Sequence, residues 1–135
     1  MTPAARGAKV SEFAQSYAAA WCSQNPESVA GFHAENGSLQ VNDGPAATGR
    51  PAIAEEARGF MRAFPDLVVT FDRLEPDGNG TKFHWTLTGK NTGPGGTGKS
   101  VRISGYELWQ LTSDRLIASS KGHFDAADYK RQLGS

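Results

Sequence analysis

The chain has 135 residues, enough for one domain with a real core and too few for two. Lys plus Arg and Asp plus Glu number 14 each, which removes the electrostatic case for nucleic acid or an anionic membrane as the main partner. No apolar run approaches the ~20 residues of a membrane span, no signal-peptide core opens the chain, and the single Cys22 excludes an internal disulfide and fits a cytoplasmic setting.

Residues 1–7 are polar and small and read as a flexible tail, followed by a single domain over 8–135. From Lys9 to Ser23, Val10, Phe13, Tyr17 and Trp21 fall at helical spacing, with Ala14 and Ala18 between them. Cys22 sits in that pattern beside Trp21 and reads as a small packed hydrophobe rather than a nucleophile. Asn25-Pro26 restarts the chain as N-cap and first-turn proline of a short helix, with Val29 and Phe32 inward. His33 ends that helix, where a cation suits the dipole, and it is assigned no chemistry. Ser38 to Asn42 alternates as a short strand, and Asp43-Gly44-Pro45 breaks it. Thr48-Gly49-Arg50-Pro51 leads into a third helix carrying Ile53, Ala57, Phe60 or Met61, and Phe64 on one side; Pro65-Asp66 ends it. Leu67 to Leu74, Thr81 to Thr88, Val101 to Leu111 and Leu116 to Phe124 are strands, the first two joined by the turn signal Asp77-Gly78-Asn79-Gly80. Ala126 to Leu133 caps the C-terminus. Helices segregated to one face of a curved antiparallel sheet predict an α+β, cone-shaped barrel with three helices across its mouth and a pocket inside.

Gly93 to Ser100 reads G-P-G-G-T-G-K-S, a full match to the phosphate-cradling pattern G-x-x-x-x-G-K-[ST]. That pattern holds a phosphate only where a helix follows, so that loop N–H groups and a helix N-terminus converge on the anion. Here Val101 to Leu111 has the period-two alternation of a strand. The segment is therefore expected to be a hairpin tip, not a nucleotide site.

Alternation also assigns faces. Ile103, Gly105, Glu107, Trp109 and Leu111 share the core face of their strand, and Glu107 is its one charged member. Desolvation there raises a carboxylate's pKa and fits it to act as an acid or a hydrogen-bond donor. A Glu paired with a buried Arg or Tyr for structure is the alternative. His84 and His123 oppose their inward neighbours in parity and are expected to face outward. Trp21, Val41, Phe60, Phe64, Trp85, Leu87, Trp109 and Phe124 supply an apolar lining that suits a flat hydrophobic ligand. With no Cys/His cluster, no metal site is expected.

Several phrases, in order, resemble the SnoaL-like polyketide cyclase branch of the nuclear-transport-factor-2-like superfamily, a cystatin-like fold. They are Thr48-Gly49-Arg50-Pro51-Ala52-Ile53, Ala63-Phe64-Pro65-Asp66-Leu67, Trp85-Thr86-Leu87-Thr88-Gly89, Thr97-Gly98-Lys99, Ile103-Ser104-Gly105 and Arg131-Gln132-Leu133-Gly134. The resemblance implies a cofactor-free, small-molecule pocket protein, often a homodimer, among relatives that include cyclases, isomerases, dehydratases, epoxide hydrolases and non-catalytic binders; fold alone does not choose among them. It places Glu107 where ketosteroid isomerases hold a protonated Asp and cyclases a pocket His. It matches Tyr17 to the isomerases' oxyanion tyrosine, which implies two donors to one substrate oxygen; a core tyrosine bonded to Glu107 alone is the other reading.

The inherited bases do not carry over, because Val41 and Gly122 occupy their positions. Asp43, two residues beyond Val41, is then the candidate base if the strand continues. Asp125 is either a second candidate or the N-cap of the last helix. The resulting expectation is an acid–base enzyme of cyclase or isomerase type acting on a hydrophobic, carbonyl-bearing polyketide- or steroid-like substrate, with a ligand binder that lost its base as the rival. Glu107, Tyr17 and Asp43 are its catalytic candidates.

Overall fold

The computed structural model describes residues 3–78 and 80–134. Helix α1 runs Pro3–Cys22 and so begins inside the stretch expected as a tail. Its buried stripe is Ala14, Tyr17, Ala18 and Trp21, the face that the spacing predicts. The left-handed backbone of Gln24 ends it. The Asn25 side chain then accepts the Glu27 N–H at 3.1 Å and caps α2 (Pro26–Ala30), with Pro26 in its first turn.

Strand β1 (His33–Val41) starts five residues earlier than its alternation suggested. Helix α2 closes after one turn, and the chain enters the sheet at once, Ile117 N–H donating to Phe32 O at 2.9 Å. His33 is therefore a fully buried strand residue paired with Ile117, not a helix-end cation. After β2 (Ala47–Thr48), helix α3 (Arg50–Ala63) buries Ile53, Ala54, Ala57 and Met61. Strands β3 (Val68–Asp77), β4 (Gly80–Lys90), β5 (Ser100–Leu111) and β6 (Ile117–Phe124) form a meander, and α4 (Ala126–Leu133) closes the chain. Asn79 of the β3–β4 turn lies outside the described residues. Asp125 caps α4 by accepting the Asp128 N–H at 3.0 Å, which settles its role as an N-cap.

The six strands form one curved sheet in the order β2-β1-β6-β5-β4-β3. The sheet is mixed rather than wholly antiparallel, because β1 runs parallel to β6. Alternation identifies a strand but not its direction, and three hairpins bring β6 back beside β1 pointing the same way. Four helices accompany the sheet among the described residues: α1–α3, as expected, and α4 as the terminal cap.

The Gly-rich segment is a hairpin connector followed by β5. Its amides are bonded to protein: Gly93 N to Ala63 O at 3.2 Å, Gly98 N to Asn91 O at 2.8 Å, and Thr97 N to Asn91 Oδ1 at 2.8 Å. A Cβ on Gly93 would stand 1.7 Å from Arg62 O, so only glycine allows this close approach to α3. A strand rather than a helix follows the loop, so the phosphate motif is without the structure it requires.

Candidate active site

Pairing register puts three positions in one row across the sheet: Val41 opposite Gly122, and Gly122 opposite Glu107. The next residue in the row is Phe83, fully buried. Above this row is a cavity of about 60 Å³ that opens to solvent. One water needs roughly 10–15 Å³ of such space, so the cavity has room for about four waters or a group of that size.

Trp21 of α1, Phe60 of α3, Trp85 and Leu87 of β4, and Val41, Gly122 and Phe124 of β1 and β6 line the cavity as expected. Leu39, Val69 and Ile103 complete the apolar wall. Glu107 is the one ionisable side chain among the described lining residues. Glycine at 122 leaves room beside it, since an added Cβ would be 3.9 Å from Glu107 Cγ.

Two expected lining residues are core instead. Trp109 is fully buried, stacked on Phe83 at 4.9 Å between ring centroids, with Tyr17 edge-on at 5.4 Å. Phe64 is also fully buried and sits against Gly89, whose missing side chain gives it space. Alternation finds the inward face but not the depth along it, and these two rings lie beyond the cavity wall.

Glu107 is 6% exposed, and donors converge on it. Oε1 accepts from Ser120 Oγ at 2.6 Å, Trp109 Nε1 at 3.0 Å and Tyr17 OH at 3.0 Å; Tyr17 OH also reaches Oε2 at 3.2 Å. Burial raises its pKa, and the bonds from Ser120, Trp109 and Tyr17 hold part of that rise back. Removing this carboxylate would orphan the Trp109 N–H, a loss of about 1–3 kcal/mol.

Tyr17 meets Glu107 as the sequence suggested, but its hydroxyl is bonded to the carboxylate and it is not a lining residue. Burial and the neighbouring Glu107 charge push its pKa well above the usual phenol value, so it stays protonated. It supports Glu107 from behind rather than offering a second donor to a ligand. Asp43 does not join them. Asn42 turns the chain with φ of +50°, and Asp43 lies exposed in that turn, away from the lining.

Two partners of the network were missed by sequence reasoning. Ser120 shares inward parity with Gly122 and Phe124, a signal that was legible. His33 gave no such signal, because its strand starts before any alternation. It is fully buried, with Nε2 3.4 Å from Tyr17 OH, and Arg50 Nε donates to its carbonyl at 3.0 Å. Burial and the Arg50 charge lower its pKa to about 4. His84 faces outward with Nε2 2.8 Å from Glu75 Oε1, and His123 is exposed, as parity implied. Cys22 Sγ is packed against the β3 backbone, 3.2 Å from Val69 N. Among the described residues, no three His, Cys, Asp or Glu side chains could hold a metal.

Solved structures share this architecture. A hypothetical protein of ketosteroid isomerase-like fold from Catenulispora acidiphila, in complex with trimethylamine, superposes with a TM-score of 0.80 at 19% identity, over 91% of this chain and 92% of that one. TsrD from Streptomyces laurentii gives 0.78 at 21% identity, over 94% and 96%. The epoxide hydrolase/cyclase-like enzyme SalBIII, described in pyran ring formation in the polyether salinomycin, gives 0.75 at 17% identity, over 89% and 93%. No curated protein matches the chain. A family model for SnoaL-like polyketide cyclase matches residues 11–133, nearly the whole chain, and with the mixed sheet and apolar cavity already described, the chain belongs to the SnoaL-like polyketide cyclase family.

Proposed function

We propose that the protein is a cofactor-free acid–base enzyme of cyclase or isomerase type, acting on a hydrophobic, carbonyl-bearing molecule of polyketide- or steroid-like character, with Glu107 as the proton-transferring group. The observation that carries this reading is a lone carboxylate, raised in pKa by burial, on the wall of an apolar cavity. Its two oxygens differ. Among the described residues, Oε1 has three donors, while Oε2 has only Tyr17 at 3.2 Å. Oε2 is thus the oxygen free to take a proton from a carbon beside the carbonyl and return it at a second atom. A pKa raised toward neutrality suits both halves of that exchange. The likeness to SalBIII supports the cyclase side of the reading.

The cavity size supports a ligand whose reacting group enters while the remainder stays at the mouth. No described helix is long and apolar enough to cross a membrane. A cytoplasmic protein is our reading, supported by the single cysteine. A homodimer through the outer face of β5, where Tyr106 and Leu108 are half-buried, completes it and is checked by light scattering at high micromolar concentration.

The deciding experiment assays aromatic ketones and polyketide-like esters with wild type and Glu107→Gln. Turnover should fall about 10²–10⁴-fold in the variant, with ligand affinity nearly unchanged. The rival, a non-catalytic binder of hydrophobic ligands, is favoured by one observation: Tyr17 is turned to Glu107 and the Trp21 indole N–H is buried, so among the described lining residues Glu107 alone is placed to meet a ligand oxygen. Tight binding across the panel without turnover would select it.

A further inference from the structure

Behind Glu107 the polar network continues away from the cavity. Tyr17 OH lies between the Glu107 carboxylate and His33 Nε2, and His33 itself does not line the cavity. A phenol has one proton and two lone pairs, and a neutral imidazole has one N–H and one bare nitrogen. The chain of contacts therefore admits two directions. In one, His33 Nε2–H donates to the Tyr17 oxygen and Tyr17 donates to Glu107. In the other, Tyr17 donates to a bare Nε2, and Glu107 loses that donor.

We propose that His33 is a positioning residue whose Nε2–H fixes the Tyr17 hydroxyl as a donor to Glu107 and so tunes the proton affinity of the cavity carboxylate. Two observations carry this. First, His33 Nδ1 is buried with no hydrogen-bond partner among the described residues. In the first direction that atom is a bare acceptor, and in the second it is an orphaned N–H. Buried polar groups without a partner are rare, and an orphaned donor is rarer than an unmatched acceptor. Second, Tyr17 OH lies within reach of both carboxylate oxygens, at 3.0 and 3.2 Å, which suits a proton held between them.

Among the described residues, the ionisable groups bonded around His33 are Tyr17 on α1, Arg50 on α3, whose Nε donates to the His33 carbonyl, and Glu107 on β5 beyond Tyr17. Burial and the Arg50 charge keep the imidazole neutral, as the arrangement needs. The wiring concerns proton affinity alone and holds whether or not turnover is found, so its failure is distinct from that of the proposed activity.

The test combines two NMR measurements on the intact protein. Long-range ¹H–¹⁵N correlation reports the His33 tautomer in wild type, and Nε2–H is expected near neutral pH. Titration of the Glu107 carboxyl carbon then compares wild type, His33→Phe and His33→Gln. The Phe variant loses the N–H that polarises the Tyr17 hydroxyl, while Tyr17 keeps donating to Glu107, so the Glu107 midpoint should rise by roughly 0.2–0.3 pH unit, the scale of one bond strengthening the next by ~10–30%. The Gln variant keeps an N–H donor and should restore the wild-type midpoint. An Nδ1–H tautomer overturns the proposal, as does an unchanged or lowered midpoint in folded His33→Phe, or an equal rise in both variants. Should the Phe variant not fold, the wild-type tautomer and the Gln titration decide.

Discussion

Acidification should unfold this protein through His33. The imidazole is fully buried and neutral, and its pKa is lowered from 6.5 to about 4 by burial and by the Arg50 charge. A group whose folded pKa is depressed binds its proton more readily in the unfolded chain. The unfolded state therefore gains as pH falls from 6.5 through about 4, and stability rises again as pH climbs through that window. The full span amounts to about 3 kcal/mol, a large fraction of the ~5–15 kcal/mol that holds a domain folded. Glu107 acts with the opposite sign. Its folded pKa is raised, so its contribution is fully present below the 4.5 of a free Glu and is lost as pH rises through the folded value. Wild type alone would blend the two. Urea unfolding followed by tryptophan fluorescence should instead compare wild type with His33→Gln, which cannot titrate, at steps from about pH 7 to about pH 4. The stability advantage of wild type should shrink by about 3 kcal/mol across those steps. A gap that stays constant to within ~0.5 kcal/mol, the scatter of additive sites, would refute the argument that His33 is buried and neutral.

Four further outcomes follow from the geometry. Gly122→Asp sets a second carboxylate in the row beside Glu107, where an added Cβ needs only a slight shift of Gln40 O at 3.3 Å; like-charge repulsion should raise the Glu107 midpoint in a carbon-detected titration. Gly105→Ala should lower the urea midpoint by an amount equal to about 1–3 kcal/mol, because its Cβ would meet His123 O at 2.2 Å and the Trp85 ring at 2.8 Å. Asp43→Asn should leave ligand affinity and any turnover unchanged, since Asp43 is exposed outside the cavity, and Lys99→Ala should change no calorimetric signal for ATP with magnesium.

Local chemistry alone fixed much of the fold. Period-two stretches became β4, β5 and β6, Asn25-Pro26 became a capped helix start, and Asp125 became the cap of α4. These signals are short-range: a capping side chain or an alternating face acts on residues a few positions away. Glu107 stood out for the same reason, as a charge within an apolar period-two face, and its place on the cavity wall follows from parity. Register, depth and direction are different in kind. That Val41, Gly122 and Glu107 share one row depends on β1 returning parallel to β6, which no local pattern encodes. Trp109 and Phe64 passed from lining to core because depth is set by what packs on top, not by parity. Asp43 left the site because a single positive φ at Asn42 turned the chain before the face could continue. His33 entered the network because tertiary pairing with Ile117 pulled it into the sheet and out of water. A carboxylate's identity is written in sequence; its donors come from α1, β5 and β6, and only packing brings those to within 3 Å or so of it.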